Sequence, residues 1–381
     1  LDNMEFLLVI GVFEAFFLAA LIFSQKDKSL SDYMLGGFFL IYGINFVLSY
    51  LEYYNRSHGF PLPSFIALAP PMILLHGPAL WFYVKTLTTQ NFQFKTWYLL
   101  HFVPFLLMVA AMWNNVYSLP VNERIDLMTS GAIKEQLTYK IFVVAIAVST
   151  IGYFSWGLRL IQGYRKKLKT YFSEIEGYDL SWLRILLTAA LVVYIAVNSV
   201  YIADLFLPVA PFGVMQFFSF LLGAVYIIFL GFYGLKQGSV FAQQKINLNL
   251  EKAVQPGHPV HKTGTKEERF IHQLLKHMQV HKPYLSPEIT VARLSKELDV
   301  TPEYLSKAIN SHLNQNFFDF INRHRINEFK ERCRDDYNKQ LTLIGIAYEC
   351  GFNSKATFNR VFKNLAGETP GEYARRCTDE L

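Results

Sequence analysis

Residues 343–363 have the sequence Leu343-Ile-Gly-Ile-Ala-Tyr-Glu-Cys350, Gly351-Phe-Asn353, Ser354-Lys-Ala-Thr-Phe-Asn-Arg-Val-Phe-Lys363. Apolar positions recur at helical spacing on both sides of Gly351, which predicts two short helices joined by a sharp turn. The same pattern occurs earlier, as Ile289-Thr-Val-Ala-Arg-Leu-Ser-Lys-Glu-Leu298, Asp-Val-Thr301, Pro302-Glu-Tyr-Leu-Ser-Lys-Ala-Ile-Asn310. Two helix-turn-helix units are therefore predicted in tandem, at 289–313 and 342–365.

The chain before these units is strongly apolar. Hydrophobic residues make up 52% of the 381 residues and charged residues only 17%. The first share is above the average of globular proteins and the second is below it. None of the apolar stretches has a charged face, so a buried soluble core would lack helices to cover it. Runs of about 17–25 apolar residues can cross a bilayer, and seven are predicted: Met4–Phe23, Tyr33–Tyr53, Phe65–Leu87, Trp97–Trp113, Tyr139–Leu160, Trp182–Phe206 and Phe212–Leu235.

The basic residues of the connections give a direction to the spans. Lys26 and Lys28 follow the first span, and the connection after the fifth is the most basic, with Arg159, Arg165, Lys166, Lys167, Lys169 and Arg184. Because basic loops stay on the cytoplasmic side, we expect the N-terminus outside and the C-terminus in the cytoplasm. The sequence thus predicts a multi-pass protein of the bacterial inner (cytoplasmic) membrane.

The predicted fold class is all-α. A seven-helix transmembrane bundle (1–235, N-terminus outside) is followed by a cytoplasmic linker (236–265), rich in Pro, Gly and polar residues. The last domain (266–381) is all-helical, cytoplasmic and contains both helix-turn-helix units. Its Thr369-Pro-Gly-Glu372 sequence is typical of a capping box with proline at the first helical position.

Polar residues inside the predicted spans are candidates for function, because ionisable groups in hydrocarbon are costly unless paired. One interpretation is a site open to the outside, with Glu14 and His76 at its floor. The alternative is that these groups only hold helices together. The candidates for signal sensing are Glu14, Asn45 and His76 near the midplane and Asn198 and Asp204 nearer the outer surface, where Glu52 and Gln216 are also expected.

Residues 266–376 resemble the C-terminal DNA-binding domain of AraC-type (AraC/XylS family) transcription regulators, because they contain a series of motif residues at similar spacing. These motif residues are Tyr304-Leu305-Ser306, Phe320-Ile-Asn-Arg-His-Arg325-Ile326, Ile346-Ala347, Gly351-Phe352, Phe358, Phe362, Gly367 and Thr369-Pro370. The resemblance implies one recognition helix per unit, with a long middle helix that places the two in successive turns of the major groove. Ser295 departs from the alanine usual at its position. The span layout also resembles that of a subgroup of membrane-embedded AraC-type regulators.

The recognition helices supply the candidate DNA contacts. Their core positions are expected to face inward, and Asn, Lys and Arg side chains can bind bases or phosphates. The outward positions, and therefore the predicted DNA-binding residues, are Glu303, Ser306, Lys307, Asn310, Lys355, Asn359, Arg360 and Lys363.

These features favour a membrane-tethered, one-component transcription regulator and not an enzyme. The expected partners are double-stranded DNA, the lipid bilayer, a signal molecule or membrane partner, and in one possibility a second copy in a homodimer. No catalytic residue, metal site or cofactor is predicted. Two alternatives stay open: a membrane enzyme or transporter, with Glu14, His76 and His101 as its reactive set and a DNA-binding domain that regulates its own expression, or a passive membrane anchor for DNA.

Overall fold

The computed structural model describes residues 2–89, 91–207, 209–244, 264–334 and 341–379. Within these ranges the chain is helical and has no β-strand, apart from one isolated bridge between Phe172 and Thr290. The predicted all-α class is confirmed. The chain divides into two compact units, Leu1–Gln162 with Leu180–Gln244 and Gly163–Asp179 with Lys245–Leu381.

The first unit contains eight α-helices among its described residues. Seven helical stretches of this part are long and apolar enough to cross a membrane. The eighth helix, α5, is short and lies in the connection between α4 and α6. The helices are α1 (Asn3–Ser24), α2 (Leu30–Ser57), α3 (Ala69–Thr88), α4 (Val103–Met112), α5 (Val121–Thr129), α6 (Leu137–Tyr171), α7 (Ser181–Asp204) and α8 (Phe212–Gln244).

The fourth apolar stretch is not one continuous α-helix. A 3-10 turn covers Thr96–Phe102, α4 follows, and a π-helical turn covers Trp113–Tyr117. Pro104 therefore lies in the first turn of α4 and does not kink the middle of a helix. This position suits proline, because the first turn needs no backbone N–H donor.

Small residues allow α1 to pack closely against α2. Gly11, Ala15 and Ala19 are buried and recur every four residues along α1, a spacing common where membrane helices approach each other. A Cβ atom on Gly11 would lie only 2.7 Å from the ring of Phe46. The opposite face of α1 exposes large apolar side chains such as Phe13 and Phe17.

The second unit contains the C-terminal helices. Thr290, Thr301, Thr342 and Ser354 cap four of them, each accepting a hydrogen bond from the backbone N–H three residues later. The predicted linker falls largely on residues 245–263, which lie outside the described residues. The helices are α9 (Gly264–His281), α10 (Val291–Glu297), α11 (Pro302–Leu313), α12 (Phe317–Arg334), α13 (Leu343–Glu349), α14 (Lys355–Ala366) and α15 (Pro370–Asp379).

Two apolar clusters form the core of this unit, one under each helix-turn-helix. The long helix α12 contributes to both, with Phe320 in the first and Phe329 in the second. The segment 163–179, which consists of the last turns of α6 and the residues after it, also contributes: Leu168 and Ile175 are buried in the second cluster. The connection between the fifth and sixth spans is therefore a folded part of the C-terminal unit.

Candidate nucleic-acid interface and interior cavity

The helices α11 and α14 are the second helices of the two helix-turn-helix units. Each turns an apolar face inward, with Leu305 and Ile309 buried on α11 and Phe358 and Phe362 on α14. The opposite faces carry all eight predicted DNA-binding residues. Ser306 is half-buried, and the other seven are exposed: Glu303, Lys307, Asn310, Lys355, Asn359, Arg360 and Lys363.

Gly351 fixes the turn between α13 and α14. Its φ is +93°, a conformation that other L-residues rarely adopt. A Cβ atom at this position would lie 2.4 Å from the Tyr284 carbonyl oxygen. The second helix-turn-helix can approach the turn before the first one only because residue 351 has no side chain.

Arg325 on α12 is fully buried between the two helix-turn-helix elements of the C-terminal unit. Its guanidinium donates hydrogen bonds to the carbonyl oxygens of Tyr284 at 2.8 Å and Ser286 at 2.9 Å. It also lies over the ring of Phe352, 5.6 Å from the centroid. Burial lowers the pKa of Arg325 to about 10, so the side chain stays charged at neutral pH. We conclude that Arg325 fixes the first helix-turn-helix relative to the second, both within the C-terminal unit.

The first turn of α14 contacts two carboxylates that the sequence analysis did not single out. The Thr357 hydroxyl lies 2.7 Å from Oε2 of Glu176 and 3.1 Å from Oε1 of Glu174. The Ser354 hydroxyl donates a hydrogen bond to the same Glu176 carboxylate. The contacting residues are about 180 positions apart, so no local pattern could have indicated this contact.

The first unit contains a partly open cavity of about 450 Å³. Its apolar lining includes Phe46, Met108, Met112, Phe142 and Phe220. Polar side chains from α2, α3, α7 and α8 and from the region around the start of α6 also line it, and they include Asn45, Ser49, His76, Asn198, Tyr201 and Gln216. A volume of this size is typical of small-molecule sites, which are mostly apolar with a few convergent polar groups.

One polar atom in the cavity wall is unpaired. His76 is 9% exposed, its ring stacks on Tyr42 with 3.9 Å between centroids, and its Nε2 has no hydrogen-bond partner among the described residues. The neighbouring polar groups are paired: Asn45 Nδ2 donates to the Ala69 carbonyl at 2.9 Å, and the Tyr42 and Tyr194 hydroxyls lie 2.8 Å apart. Nε2 itself has almost no accessible surface, so an occupant of the cavity can bond it only after the His76 ring turns toward the cavity.

Two ion pairs lie around one aromatic ring of the cavity wall. Arg56 pairs with Glu52 at 2.8 Å, and Lys134 pairs with Asp204 at 3.0 Å. Both cations lie 5.5 Å from the centroid of the Phe212 ring, a distance at which cation–π attraction acts. The two carboxylates balance the two cations, so this end of the cavity carries no net charge.

The structure brings together only part of the predicted sensing set. Asn45, His76 and Asn198 line the cavity, as do Glu52 and Gln216. Asp204 is not a lining residue but holds Lys134, which is one. Arg56 and Lys134 were not among the predicted sensing residues, although the acid four residues before Arg56 indicates a helical ion pair.

Glu14 does not share the floor of the cavity with His76, so that expectation is wrong. It lies half-buried on α1, and the lining residues come from other elements. A span without a polar face does not reveal from its sequence which side turns inward. His101 is also elsewhere: its Nδ1 lies 2.7 Å from the Tyr153 hydroxyl, and it is not a lining residue. The three residues of the reactive set considered above do not meet.

Within the described ranges, no cluster of three or more His, Cys, Asp or Glu side chains could hold a metal ion. Cys350 is fully buried in the second core cluster. Burial raises the pKa of its thiol to about 12, so the thiol stays protonated at neutral pH.

Comparison with known proteins agrees with the geometry of the C-terminal unit. Residues 294–376 match the profile of a family described as a helix-turn-helix domain. A search of curated proteins and a search of solved structures each gave no match. The matched family is a DNA-binding family of the AraC type and not an enzyme family. The match therefore supports an AraC-family DNA-binding domain in the C-terminal part of this chain.

Proposed function

We propose that this protein is a membrane-tethered, one-component transcription regulator of the bacterial inner membrane. In this proposal the first unit senses a signal and the second binds specific DNA from the cytoplasmic side. The main support is that one chain contains both seven apolar helices of membrane length and a domain that matches a helix-turn-helix family. Such a chain can reach DNA only from a membrane that faces the chromosome.

The surface of the first unit supports the tether. Large apolar side chains are exposed on several of its helices, including Phe13, Leu107, Val148, Ile185 and Phe232. Soluble monomers rarely expose wide apolar patches, and a patch of this kind indicates a membrane or partner surface. The basic connection after the fifth span supports a cytoplasmic position for the second unit.

The second unit supports DNA reading by a single chain. Both α11 and α14 expose polar faces, and Asn359 and Arg360 are of the types that bind adenine and guanine edges. Because one chain provides two reading helices, a monomer can occupy a site of two successive major-groove turns. A homodimer would add affinity by avidity without being required for the fold.

The cavity of the first unit supports a small-molecule signal. Its apolar wall favours a largely apolar molecule, and the unpaired Nε2 of His76 favours one that carries a hydrogen-bonding group. In the ion pairs Arg56–Glu52 and Lys134–Asp204 the charges cancel, so this end of the cavity does not attract a ligand with a net charge. We infer that the signal is an uncharged, amphipathic small molecule.

The DNA-binding claim is tested with the full chain in lipid nanodiscs. A C-terminal fragment is unsuitable, because Leu168 and Ile175 of the 163–179 segment belong to the core of the second unit. Promoter fragments, including that of its own gene, are titrated at several salt concentrations. Salt-sensitive binding to at least one fragment is expected, because phosphate contacts release counterions. If no fragment is bound at any salt concentration, the protein does not regulate transcription by binding DNA.

A further inference from the structure

The 163–179 segment is held to the first helix-turn-helix and the middle helix by its backbone. Phe172 pairs with Thr290 in an antiparallel bridge. The Ser173 hydroxyl donates to the Ile289 carbonyl at 2.7 Å, and Asn322 Nδ2 donates to the Ser173 carbonyl at 3.0 Å. These bonds lie in buried surroundings, where an unmade hydrogen bond is costly.

Side-chain contacts with the second core cluster and with α12 also hold this segment in place. Leu168 and Ile175 enter the second core cluster, and Lys169 lies over the Phe318 ring, 5.0 Å from its centroid. Within the segment, Arg165 and Asp179 pair at 2.9 Å. The backbone of the segment is therefore fixed, and it presents its remaining polar side chains in defined positions.

Two of those side chains, Glu174 and Glu176, lie on the first turn of the recognition helix α14. They contact the Ser354 and Thr357 hydroxyls, and Thr357 is only 1% exposed. Burial alone would raise the pKa of Glu176. Hydrogen bonds from Ser354 and Thr357 and the charge of Arg360 outweigh burial and lower this pKa. Glu176 is therefore an anion at neutral pH.

DNA phosphates would use the same donors. Phosphate oxygens bind the N-termini of helices, hydroxyl side chains and arginines, and the start of α14 offers the N-cap Ser354, Thr357 in the first turn and Arg360 in the second. A carboxylate oxygen makes the same hydrogen bonds as a phosphate oxygen. The acidic side chains and a DNA strand cannot occupy this turn together, both for lack of space and because like charges repel.

The segment also approaches the first recognition helix. Tyr171 forms one side of a groove whose other side consists of Glu303, Ser306, Lys307, Asn310 and Ser311 on α11. Four of these five are predicted DNA-binding residues. A single segment thus lies beside both reading helices.

We propose that residues 163–179 form an autoinhibitory segment, whose acidic turn Glu174–Glu176 occupies the backbone-phosphate site at the start of α14. DNA must displace this turn in order to bind. The inference rests on the proposed function of α14 in DNA binding. Because α6 runs into the segment and α7 follows it, a change in either span reaches the acidic turn through the chain itself.

The test compares the full chain with its Glu174→Gln/Glu176→Gln variant, both in lipid nanodiscs. The probe is a random-sequence DNA duplex of about 30 base pairs at low salt, because non-specific binding depends on phosphate contacts and needs no known operator. We expect the variant to bind with a Kd about tenfold lower, since charge-assisted hydrogen bonds no longer compete with phosphate. The control is Glu331→Gln, which makes an exposed charge change on α12 and should lower Kd less than about twofold.

A disulfide lock provides a second variant. Residues that face each other in an antiparallel bridge have Cβ atoms close enough for a disulfide, so Phe172→Cys/Thr290→Cys is introduced with Cys333→Ser and Cys377→Ser. The oxidised lock should bind DNA at least about tenfold more weakly than the same protein after reduction. Adding the two glutamine substitutions should restore only part of the binding to the oxidised protein, because they remove the charge repulsion while the side chains still occupy the turn.

Two results would overturn the inference. The first is a glutamine variant that binds no more tightly than the wild type. The second is a lock that binds DNA equally well in both redox states. In either case the segment is a permanent structural part of the domain. Failure of the proposed function looks different, because then neither the wild type nor any variant binds DNA.

Discussion

Arg325 donates a hydrogen bond from Nε to the Tyr284 carbonyl oxygen at 2.8 Å. Gly351 lies against this same oxygen. The middle helix, the turn before the first helix-turn-helix and the turn inside the second therefore meet at one point. This contact sets the spacing of the two recognition helices.

Gly351→Ala should destabilise the second unit by roughly 2–4 kcal/mol, because the new Cβ meets the Tyr284 carbonyl and the positive φ is strained. Gly367→Ala is the matched control. Its φ is +79°, but no atom lies within 4 Å of the added Cβ, so only the backbone term of about 1 kcal/mol remains. Unfolding is measured by the rate at which the buried Cys350 becomes alkylated, in a protein that also carries Cys333→Ser and Cys377→Ser. Equal losses for the two alanines would contradict the close approach.

Asn322→Ala should cost roughly 2–4 kcal/mol in the same alkylation assay, because it leaves buried partners without a hydrogen bond. Asn322 is fully buried and bonds the Ser173 carbonyl. Asn327→Ala, an exposed position of the same helix, should change stability by less than about 0.5 kcal/mol. If the two variants are equally stable, the 163–179 segment is not docked on α12.

Arg360→Ala should weaken DNA binding by about 1–3 kcal/mol, since its side chain projects from the exposed face of α14. The control is Lys276→Ala, on the exposed face of α9 and outside both recognition helices. The measurement is titration of DNA with the nanodisc-embedded full chain. An equal effect of the two substitutions would indicate non-specific charge attraction rather than a reading surface.

The second unit should lose stability in acid through Glu328. Burial raises the pKa of this carboxyl, but hydrogen bonds from Lys282, Arg332 and Tyr284 lower it more, so the net pKa lies below its ordinary value. A carboxyl with a lowered folded-state pKa stabilises the fold above its unfolded pKa of about 4.3 and loses this contribution as the pH falls through the folded value.

Glu328→Gln should therefore be less stable than the wild type at neutral pH and should show a smaller loss of stability on acidification. Melting temperatures measured between neutral pH and about pH 2 test this. The Glu331→Gln variant, which changes an exposed acid of the same helix, should retain the pH dependence of the wild type. Parallel pH profiles for Glu328→Gln and the wild type would exclude this role.

His76→Phe should empty the cavity of its natural occupant. Phenylalanine can keep the stacking on Tyr42 but has no atom equivalent to Nε2, so a bound hydrogen-bonding group would be left unpaired. Small molecules extracted from purified protein are compared by mass spectrometry, and we expect one that is reduced at least about tenfold in the variant. Glu14→Gln, outside the cavity, should retain it. Identical extracts from wild type and His76→Phe would speak against a ligand site.

Much of the fold could be predicted, because it follows from local patterns. Seven runs of membrane length indicated seven helical stretches, and all seven are present in the described part of the chain. Caps such as Thr301 and Ser354, and the positive φ of Gly351, are also set by residues close in sequence. The outward faces of α11 and α14 follow from their apolar stripes.

The sites depend on long-range packing, which a single sequence does not show. The contact between Glu176 and Thr357 joins positions far apart in sequence. The 163–179 segment has few buried apolar residues, and charged residues lie between them. The basic residues of 159–184 suggested a connection between spans, but most of them lie on the end of α6 (Leu137–Tyr171), and nothing in the sequence indicated that Leu168 and Ile175 are buried in the second core cluster. Similarly, Glu14 lies outside the cavity because the rotation of α1 depends on its contacts with α2 and α8.

The most direct test of the central claim is to crosslink protein to DNA in intact cells and then isolate the cytoplasmic membrane. DNA recovered with the full-length protein from that fraction is sequenced, alongside DNA from an Asn359→Ala/Arg360→Ala variant. We expect a small set of discrete sites for the wild type and their loss in the variant. Discrete sites recovered only from the soluble fraction, or an unchanged pattern in the variant, would contradict a DNA reader fixed in the membrane.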